Sequence, residues 1–338
     1  AGTARTSGQC LDAEQIAFAR SFYTPLRDDS GRALDDGILP GVALMIAFCI
    51  AAPLIDVASK LAAQGVPVGV IVLGRGVVQA ALMLPFVLAM RLPLATGRRD
   101  LALLTFRGAL LLASTYCFVA AVRVMPIADA LAIVFVEPFV ILLIGRFAFH
   151  EAVGPRRLAA CVVGFVGSLL VIQPSFAAFG PVAFFPLGTA ICFAFYIIVT
   201  RSLSRSVHPV PMQFHTAFLS ALLCLPMLAL GTAAGEPSTT FVLPEGIFWL
   251  WVFCVGLASA VSHMAMTYAL KFAPSSTLAP LHYLEIVTAT LFGYLVFGNF
   301  PNPLTLTGIA IIVASGLYII HRERVTDRAR RLTTPSPA

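Results

Sequence analysis

Charged residues are scarce in this sequence, and their scarcity excludes whole classes of protein. Only 11% of the 338 residues are Asp, Glu, Lys or Arg, whereas 59% are hydrophobic. An ordinary soluble domain contains about 25% charged residues, which it needs to cover its surface. The composition therefore excludes a soluble enzyme. It also excludes intrinsic disorder, because a disordered chain has few hydrophobic residues and many charges.

Motifs of catalysis and metal binding are also lacking. No HExxH, GxSxG or phosphate-binding Walker sequence occurs, which disfavours a membrane-embedded enzyme. Six of the seven cysteines lie inside apolar runs without CxxC or Cys/His spacing, as packing residues do. We expect no cofactor and no metal, since nothing indicates that His263, His282 and Glu285 converge on a zinc ion.

Apolar runs fill the chain between positions 38 and 322. Most are about 20 residues long, the length of a helix that crosses a bilayer, and they are separated by Pro- and Gly-containing breaks. The flanking residues 1–37 predict a polar, disordered extension, and residues 322–338 predict a basic cytoplasmic tail. We predict an all-α polytopic membrane protein with ten transmembrane helices, at 38–62, 67–90, 101–123, 126–149, 155–173, 181–201, 211–232, 245–271, 274–298 and 303–321.

Basic residues collect in alternate loops of this predicted topology. Arg98 and Arg99 lie between helices 2 and 3, Arg156 and Arg157 lie between helices 4 and 5, and Arg322 follows helix 10. The positive-inside rule then predicts that both termini are cytoplasmic and that the helices cross a bacterial inner membrane. The same rule accounts for the net charge of +6 without a nucleic-acid partner.

An internal repeat relates the two halves of the chain. When the sequence is aligned with itself so that position 137 matches position 285, helices 4–5 align with helices 9–10 without a gap. This alignment predicts repeats at 38–173 and 181–321. A repeat of five helices is odd in number, so the second copy is inverted in the membrane, as in many secondary transporters. The most informative matches are Pro126 with Pro274, Glu137 with Glu285, Gly145 with Gly293 and Pro155 with Pro303.

Several short segments, taken in order, carry a family resemblance: Asp56–Lys60, Arg75, Arg107–Gly108, Met125–Ala130, Gly145–Glu151 and Gly164–Gly167. They resemble the drug/metabolite transporter superfamily, and its EamA family in particular. The resemblance implies two inverted five-helix bundles, transport of small metabolites, and a central cavity lined mainly by helices 1, 3, 4, 6, 8 and 9. Two departures stand out: Asn299 stands where the family often has an acidic residue, and Glu137 and Glu285 stand where many relatives have an apolar residue or proline.

Glu137 and Glu285 are the most distinctive residues of the sequence. Each lies eleven residues into its predicted helix, where a charge costs at least about 2.5–3.5 kcal/mol on insertion scales. We predict that both face the cavity, where they bind a cationic group of the substrate, carry a coupling proton, or do both by exchange. The alternative is local neutralisation by an arginine or by the backbone of a broken helix.

Histidines and aromatic residues on the predicted cavity helices extend this candidate site. His282 lies three residues before Glu285 on one helical face, so it can relay a proton or simply anchor the glutamate. His263 is a second candidate. An aromatic wall would suit a planar or cationic ligand, although ordinary packing is an alternative for each residue singly. The aromatic candidates are Tyr116, Phe118, Phe135, Phe193, Tyr196, Tyr268 and Tyr283.

Four further charges predict a structural or gating network. Asp56 and Lys60 are spaced i,i+4 in helix 1, which predicts a salt bridge between them. Arg75 either joins that network or reads a substrate carboxylate, since its planar guanidinium suits the second task. Asp129 follows Pro126 at the start of helix 4, where capping or gating is expected.

These features together predict a secondary active transporter without an ATP site. It would move a small cationic or zwitterionic metabolite, such as S-adenosylmethionine or an amino acid, with proton coupling through Glu137 and Glu285. A riboflavin-type vitamin is the alternative substrate, and a lipid flippase or a channel is less favoured. The expected partners are the small-molecule substrate and the lipid bilayer. A stripe of Ala160, Gly164 and Ser168 predicts a helix-packing face, for a neighbour in the chain or for a homodimer.

Overall fold

The computed structural model describes residues 38–94, 96–137, 139–140, 144, 155–203, 206–272, 281, 284–315 and 317–318. Within these residues the regular structure is helical and contains no β-strand. The predicted extension at 1–37 and the predicted tail at 322–338 lie outside the described residues.

Most of the helices begin and end close to the predicted positions, although α5 ends at Phe179 and not at 173, and the predicted helix limits at 149, 274 and 321 lie outside the described residues. Proline or glycine stands at most of the boundaries, because proline has no N–H to donate and glycine adopts the left-handed conformation that ends a helix. Gly235, with φ of 70°, ends one of them in this way. The helices are α1 Ile38–Ala62, α2 Val68–Ala89, α3 Arg98–Val122, α4 Ile127–Val134, α5 Pro155–Phe179, α6 Phe185–Leu203, α7 Pro209–Ala234, α8 Phe248–Phe272, α9 Leu284–Phe297 and α10 Pro303–Ser315.

Helix α4 departs from its prediction as one continuous segment over 126–149. It ends at Val134, and Phe135 and Val136 form a turn before Glu137. The residue after Glu137 is Pro138, which cannot donate the backbone hydrogen bond that would continue an α-helix through this position. The helix is therefore interrupted at Phe135 and Val136 and resumes at Glu137, where 137, 139, 140 and 144 are again helical, so the predicted continuous helix is broken beside the glutamate.

Several helices are long and apolar enough to cross a membrane. Among the described residues six such spans occur, and one of them runs from Val162 to Thr200 through α5, a short 3-10 helix at Gly180–Phe184, and α6. Helices α9 and α10 are shorter apolar helices. Large side chains such as Leu230 and Leu295 are 72% and 67% exposed, which is the arrangement expected of a lipid-facing surface. The predicted all-α polytopic membrane fold is confirmed.

Helix contacts follow an approximate twofold symmetry in which helix n of the first repeat corresponds to helix n+5 of the second. The contact of α1 with α8 is mirrored by that of α6 with α3. The contact of α3 with α7 is mirrored by that of α8 with α2, and α1 with α9 by α6 with α4. Helices α2 and α7, which correspond to each other, also touch, as do α4 and α9. Four helices of each repeat, α1–α4 and α6–α9, therefore contact the other repeat.

Glycines allow two close approaches between helices. A Cβ atom on Gly256 of α8 would lie 2.4 Å from Val78 Cβ of α2, and one on Gly308 of α10 would lie 2.7 Å from the carbonyl oxygen of Gly167 in α5. Gly164 of the small-residue stripe faces the ring of Phe139 within the chain. That contact makes this part of the stripe an internal packing face, and a homodimer stays a prediction.

Candidate functional site

A cavity lies among seven helices of the bundle. Its wall is formed by α1, α2, α3, α4, α6, α8 and α9, together with residues just after α4. Its volume of about 110 Å³ is several times the roughly 10–15 Å³ that one water molecule requires by the same kind of measure. Four phenylalanines line it, and its ionisable lining residues are Asp56, Arg75, Glu137, His263 and Glu285.

Both glutamates predicted from the sequence lie on this cavity. Glu137 is 4% exposed and Glu285 is 7% exposed, so bulk solvent reaches neither of them freely. Glu285 is positioned by contacts between α9 and α1, since Thr288 Oγ1 donates to the carbonyl oxygen of Cys49 at 2.6 Å. The interruption of α4 positions Glu137. The structure thus brings the two repeat-related carboxylates to one cavity.

Arg75 of α2 enters the cavity wall and is held from two sides. Its Nε donates to Ser259 Oγ of α8 at 2.8 Å, and its Nη1 donates to Thr115 Oγ1 of α3. Its Nη2 lies 3.2 Å from His263 Nε2 of α8. Asp56 of α1 interacts electrostatically with Arg75 and with Glu285, and its Oδ2 is buried without a hydrogen-bond partner. The cavity therefore carries three carboxylates and one guanidinium.

A second buried arginine, Arg107 of α3, lies outside the cavity wall. Its Nε donates to Thr200 Oγ1 at 2.8 Å and its Nη2 donates to the Tyr196 hydroxyl at 2.5 Å, both on α6. Its Nη1 donates to Thr216 Oγ1 and, at 3.5 Å, to the carbonyl oxygen of Met212, both on α7. Its guanidinium also covers the Tyr196 ring, 4.2 Å from the centroid. Arg107 is fully buried and ties the first repeat to the second.

The predicted network of four charges divides into two separate groups. Lys60 does not pair with Asp56, although the two are one helical turn apart. Its Nζ donates instead to the carbonyl oxygen of Met125 at 2.6 Å and lies 5.3 Å from the centroid of the Phe297 ring. Asp129 interacts electrostatically with Lys60. The predicted Asp56–Lys60 salt bridge was wrong, because Asp56 faces Arg75 and Glu285, whereas Lys60 contacts Met125 and Phe297.

The aromatic candidates are also divided. Tyr116 lies half-buried, with its hydroxyl 2.9 Å from Ser238 Oγ in the connection between α7 and α8. Tyr196 is fully buried and stacks on Phe193, with centroids 5.2 Å apart, so it contacts the cavity wall from behind. His263 lines the cavity, and its Nδ1 lies 3.5 Å from the Tyr196 hydroxyl. His282 and Tyr283 lie outside the described residues.

The sequence alone did not indicate Arg107, Thr115 or Ser259 as members of these clusters. Arg107, like Glu137, is a charged residue well inside an apolar helix. The reasoning that singled out Glu137 therefore applies to Arg107 as well. Thr115 and Ser259 carry no such signal, since hydroxyl residues are common in membrane helices. Only their contact with Arg75 singles them out.

Comparisons with known proteins agree with this architecture. The model of the EamA-like transporter family matches twice, over residues 39–173 and 180–321. A riboflavin transporter of Brucella anthropi is 27% identical over 84% of this chain and 99% of its own length. An S-adenosylmethionine uptake transporter of Rickettsia felis is 26% identical over 64% of this chain and 71% of its own.

A solved crystal structure shares the fold. It aligns with a TM-score of 0.58 at 20% identity, over 88% of this chain and 99% of the other. The family match spans both halves of the chain, and the relatives named above are transporters. The chain therefore belongs to the EamA-like transporter family, as a multi-pass membrane protein that transports small metabolites and is not an enzyme.

Proposed function

We propose that this protein is a secondary active transporter of a small cationic or zwitterionic metabolite, similar to S-adenosylmethionine or an amino acid. The observation that carries the proposal is the charge of the cavity, which has three carboxylates against one guanidinium. Charge–charge attraction is much stronger in a site of low dielectric constant than in water. Such a cavity favours a ligand with at least one positive charge and disfavours anions.

The relatives support the same class of substrate without deciding it. The Rickettsia felis relative is named for uptake of S-adenosylmethionine, which carries a sulfonium and an amino-acid group. The Brucella anthropi relative is named for riboflavin, which is uncharged and aromatic. A riboflavin-type vitamin is the second candidate, because Phe48, Phe118, Phe135 and Phe193 line the cavity and planar rings pack well against aromatic side chains.

We propose alternating access, and the way in which the repeats contact each other supports it. The contact of α1 with α8 and that of α3 with α6 flank the cavity and are related by the approximate twofold symmetry. Rocking of one bundle against the other would open these two contacts in turn and expose the cavity first to one side of the membrane and then to the other. We propose the bacterial inner membrane as the location, with both termini in the cytoplasm.

Proton coupling is proposed for Glu137 and Glu285. A carboxylate that binds a cationic substrate in one half of the cycle and a proton in the other exchanges the two by simple competition. The interruption of α4 beside Glu137 supports this role, because irregular backbone in transporters typically lines the substrate or ion site.

Uptake into proteoliposomes tests the proposal. Purified protein is reconstituted and offered labelled S-adenosylmethionine, amino acids and riboflavin, with and without an imposed pH gradient. We expect uptake of at least one charged metabolite. In Glu137→Gln and Glu285→Gln this uptake falls about tenfold or more, because a hydrogen bond to a charged group contributes about 1.5–3 kcal/mol. The residual uptake no longer responds to the pH gradient.

The matched control is Glu245→Gln, which makes the same chemical change at an exposed position between α7 and α8. It is expected to transport at the wild-type rate. Normal uptake and unchanged pH response in both cavity variants would overturn the role of the carboxylates. Uptake of riboflavin alone would overturn the charged substrate and favour the vitamin.

A further inference from the structure

Arg75 is held in place by groups that leave part of its hydrogen-bonding capacity unused. A guanidinium has five N–H donors. Three of them are engaged in the bond to Ser259, the bond to Thr115 and the contact with His263. Two donors, one on each terminal nitrogen, remain on a side chain that lines the cavity and is 7% exposed. These partners come from α3 and α8, so the guanidinium is fixed before any ligand arrives.

Asp56 faces the same cavity and lacks a hydrogen-bond donor for one of its carboxylate oxygens. It is 8% exposed, and its Oδ2 is buried without a hydrogen-bond partner. Asp56 and Arg75 interact electrostatically, but no hydrogen bond joins them, and both residues are among those the structure describes. A buried polar oxygen without a partner is costly, and native proteins keep such groups mainly where a ligand or a mechanism uses them.

An opposite pair of charges held apart on one cavity wall matches a ligand that carries both charges itself. A carboxylate oxygen pair suits the two free donors of a guanidinium, which it can accept in a bidentate arrangement. An ammonium group supplies the donors that Asp56 Oδ2 lacks. In an α-amino acid these two groups are attached to one carbon atom, so a single head group can reach both side chains.

We propose that Asp56 and Arg75 form the subsite that recognises the α-ammonium and α-carboxylate of the substrate. The inference rests on the proposed transport function and deepens it, since it requires a substrate with an amino-acid head group. Arg75 is then a specificity-determining residue for the carboxylate, and Asp56 for the ammonium. Glu137 and Glu285 are left to meet a further cationic centre of the substrate or the coupling proton.

The test compares two probes that differ only in the carboxylate. Proteoliposomes take up either S-adenosylmethionine or its decarboxylated amine, each at a series of concentrations. We expect the wild type to prefer the carboxylate-bearing probe about tenfold or more in kcat/KM. Arg75→Gln is expected to abolish this preference while retaining uptake of the decarboxylated amine. Arg75→Lys keeps the charge but loses the bidentate geometry, so it retains only part of the preference.

Asp56 is tested with a probe that lacks the ammonium. Asp56→Asn is expected to lose the preference for S-adenosylmethionine over its deaminated analogue while it keeps the preference for a carboxylate. Arg123→Gln, at the exposed end of α3, is the control and leaves every preference unchanged. Size-exclusion chromatography of each variant before reconstitution shows that the compared proteins are folded.

The outcomes separate this inference from the proposed function. Equal wild-type uptake of both probes, or a proportional loss of both in Arg75→Gln and Arg75→Lys, overturns the subsite and assigns Arg75 to conformational closure. The charged-substrate proposal survives that result. If the wild type carries neither probe but does carry riboflavin, both the substrate proposal and the subsite are overturned.

Discussion

Two buried arginines in one bundle have different surroundings. Arg75 uses three of its five donors and lines the cavity, whereas Arg107 uses four, covers an aromatic ring and is fully buried. The partners that hydrogen-bond either guanidinium are hydroxyl, carbonyl or imidazole groups. Burial of a charge therefore does not by itself indicate a binding site. Guanidinium N–H donors that lack a partner beside a cavity indicate a binding site. A guanidinium whose donors are mostly taken up by neighbouring helices indicates a structural role.

The largest expected difference is between alanine variants of these two arginines. Arg107→Ala removes a group that joins α3 to α6 and α7, so we expect the free energy of unfolding to fall by about 3–5 kcal/mol. Arg75→Ala should destabilise the protein less, because Arg75 already lines a cavity and its removal only enlarges that cavity. Uptake of a metabolite with an amino-acid head group by Arg75→Ala should nevertheless fall about thirtyfold or more.

Thermal unfolding in detergent and uptake per folded molecule measure the two effects separately. The comparison fails if Arg75→Ala unfolds as readily as Arg107→Ala while its folded fraction transports normally. A loss of uptake in Arg107→Ala that only matches its loss of folded protein would support a purely structural role for Arg107.

A smaller effect is expected for Tyr196→Phe. The hydroxyl accepts from Arg107 at 2.5 Å, and a hydrogen bond to a charged group contributes about 1.5–3 kcal/mol. We expect the apparent melting temperature to fall while the KM for the transported metabolite stays unchanged, because Tyr196 lies behind the cavity wall. A raised KM at unchanged stability would instead support direct substrate contact, as the sequence suggested.

Gly256→Ala tests how closely the helices must pack around Arg75. The new Cβ would lie 2.4 Å from Val78 Cβ and 3.3 Å from the carbonyl oxygen of Arg75, so α2 and α8 must separate. Overpacking of this kind costs about 1–3 kcal/mol. We expect a lower melting temperature and reduced uptake, since Ser259 on α8 would move away from Arg75.

Gly293→Ala is the matched control for that substitution. Among the residues that the structure describes, nothing lies within 4 Å of a Cβ atom built at Gly293 of α9. Alanine should be neutral there or stabilise the helix by up to about 1 kcal/mol. Equal losses in the two variants would show that the close approach of α2 to α8 is unimportant.

The smallest effect is expected for Tyr116→Phe. Its hydroxyl bonds Ser238 in a half-buried position, where a neutral hydrogen bond contributes about 0.5–1.5 kcal/mol. Melting temperature should change little, and the substrate preference of Arg75 should not change at all. A change in substrate preference measured in the uptake assay would contradict the placement of Tyr116 outside the site.

Several features of the site could be predicted from the sequence for a physical reason. Glu137 and Glu285 were found because a charge within an apolar helix is expensive and must be offset. Their common placement on one cavity follows from the repeat. The partners of Asp56 and Lys60 could not be predicted, since i,i+4 spacing shows only that two side chains share a helical face. Which neighbouring helix lies opposite that face depends on tertiary packing.

The amino-acid sequence was sufficient to predict a bundle of membrane helices and the ends of most of them. These properties depend on local quantities, namely the length of apolar runs that a bilayer requires and the backbone limits of proline and glycine. The position of Arg75 at a cavity, and of Arg107 away from it, depends on tertiary packing. That difference arises from α6 and α7 closing around Arg107, through contacts between residues far apart in the chain.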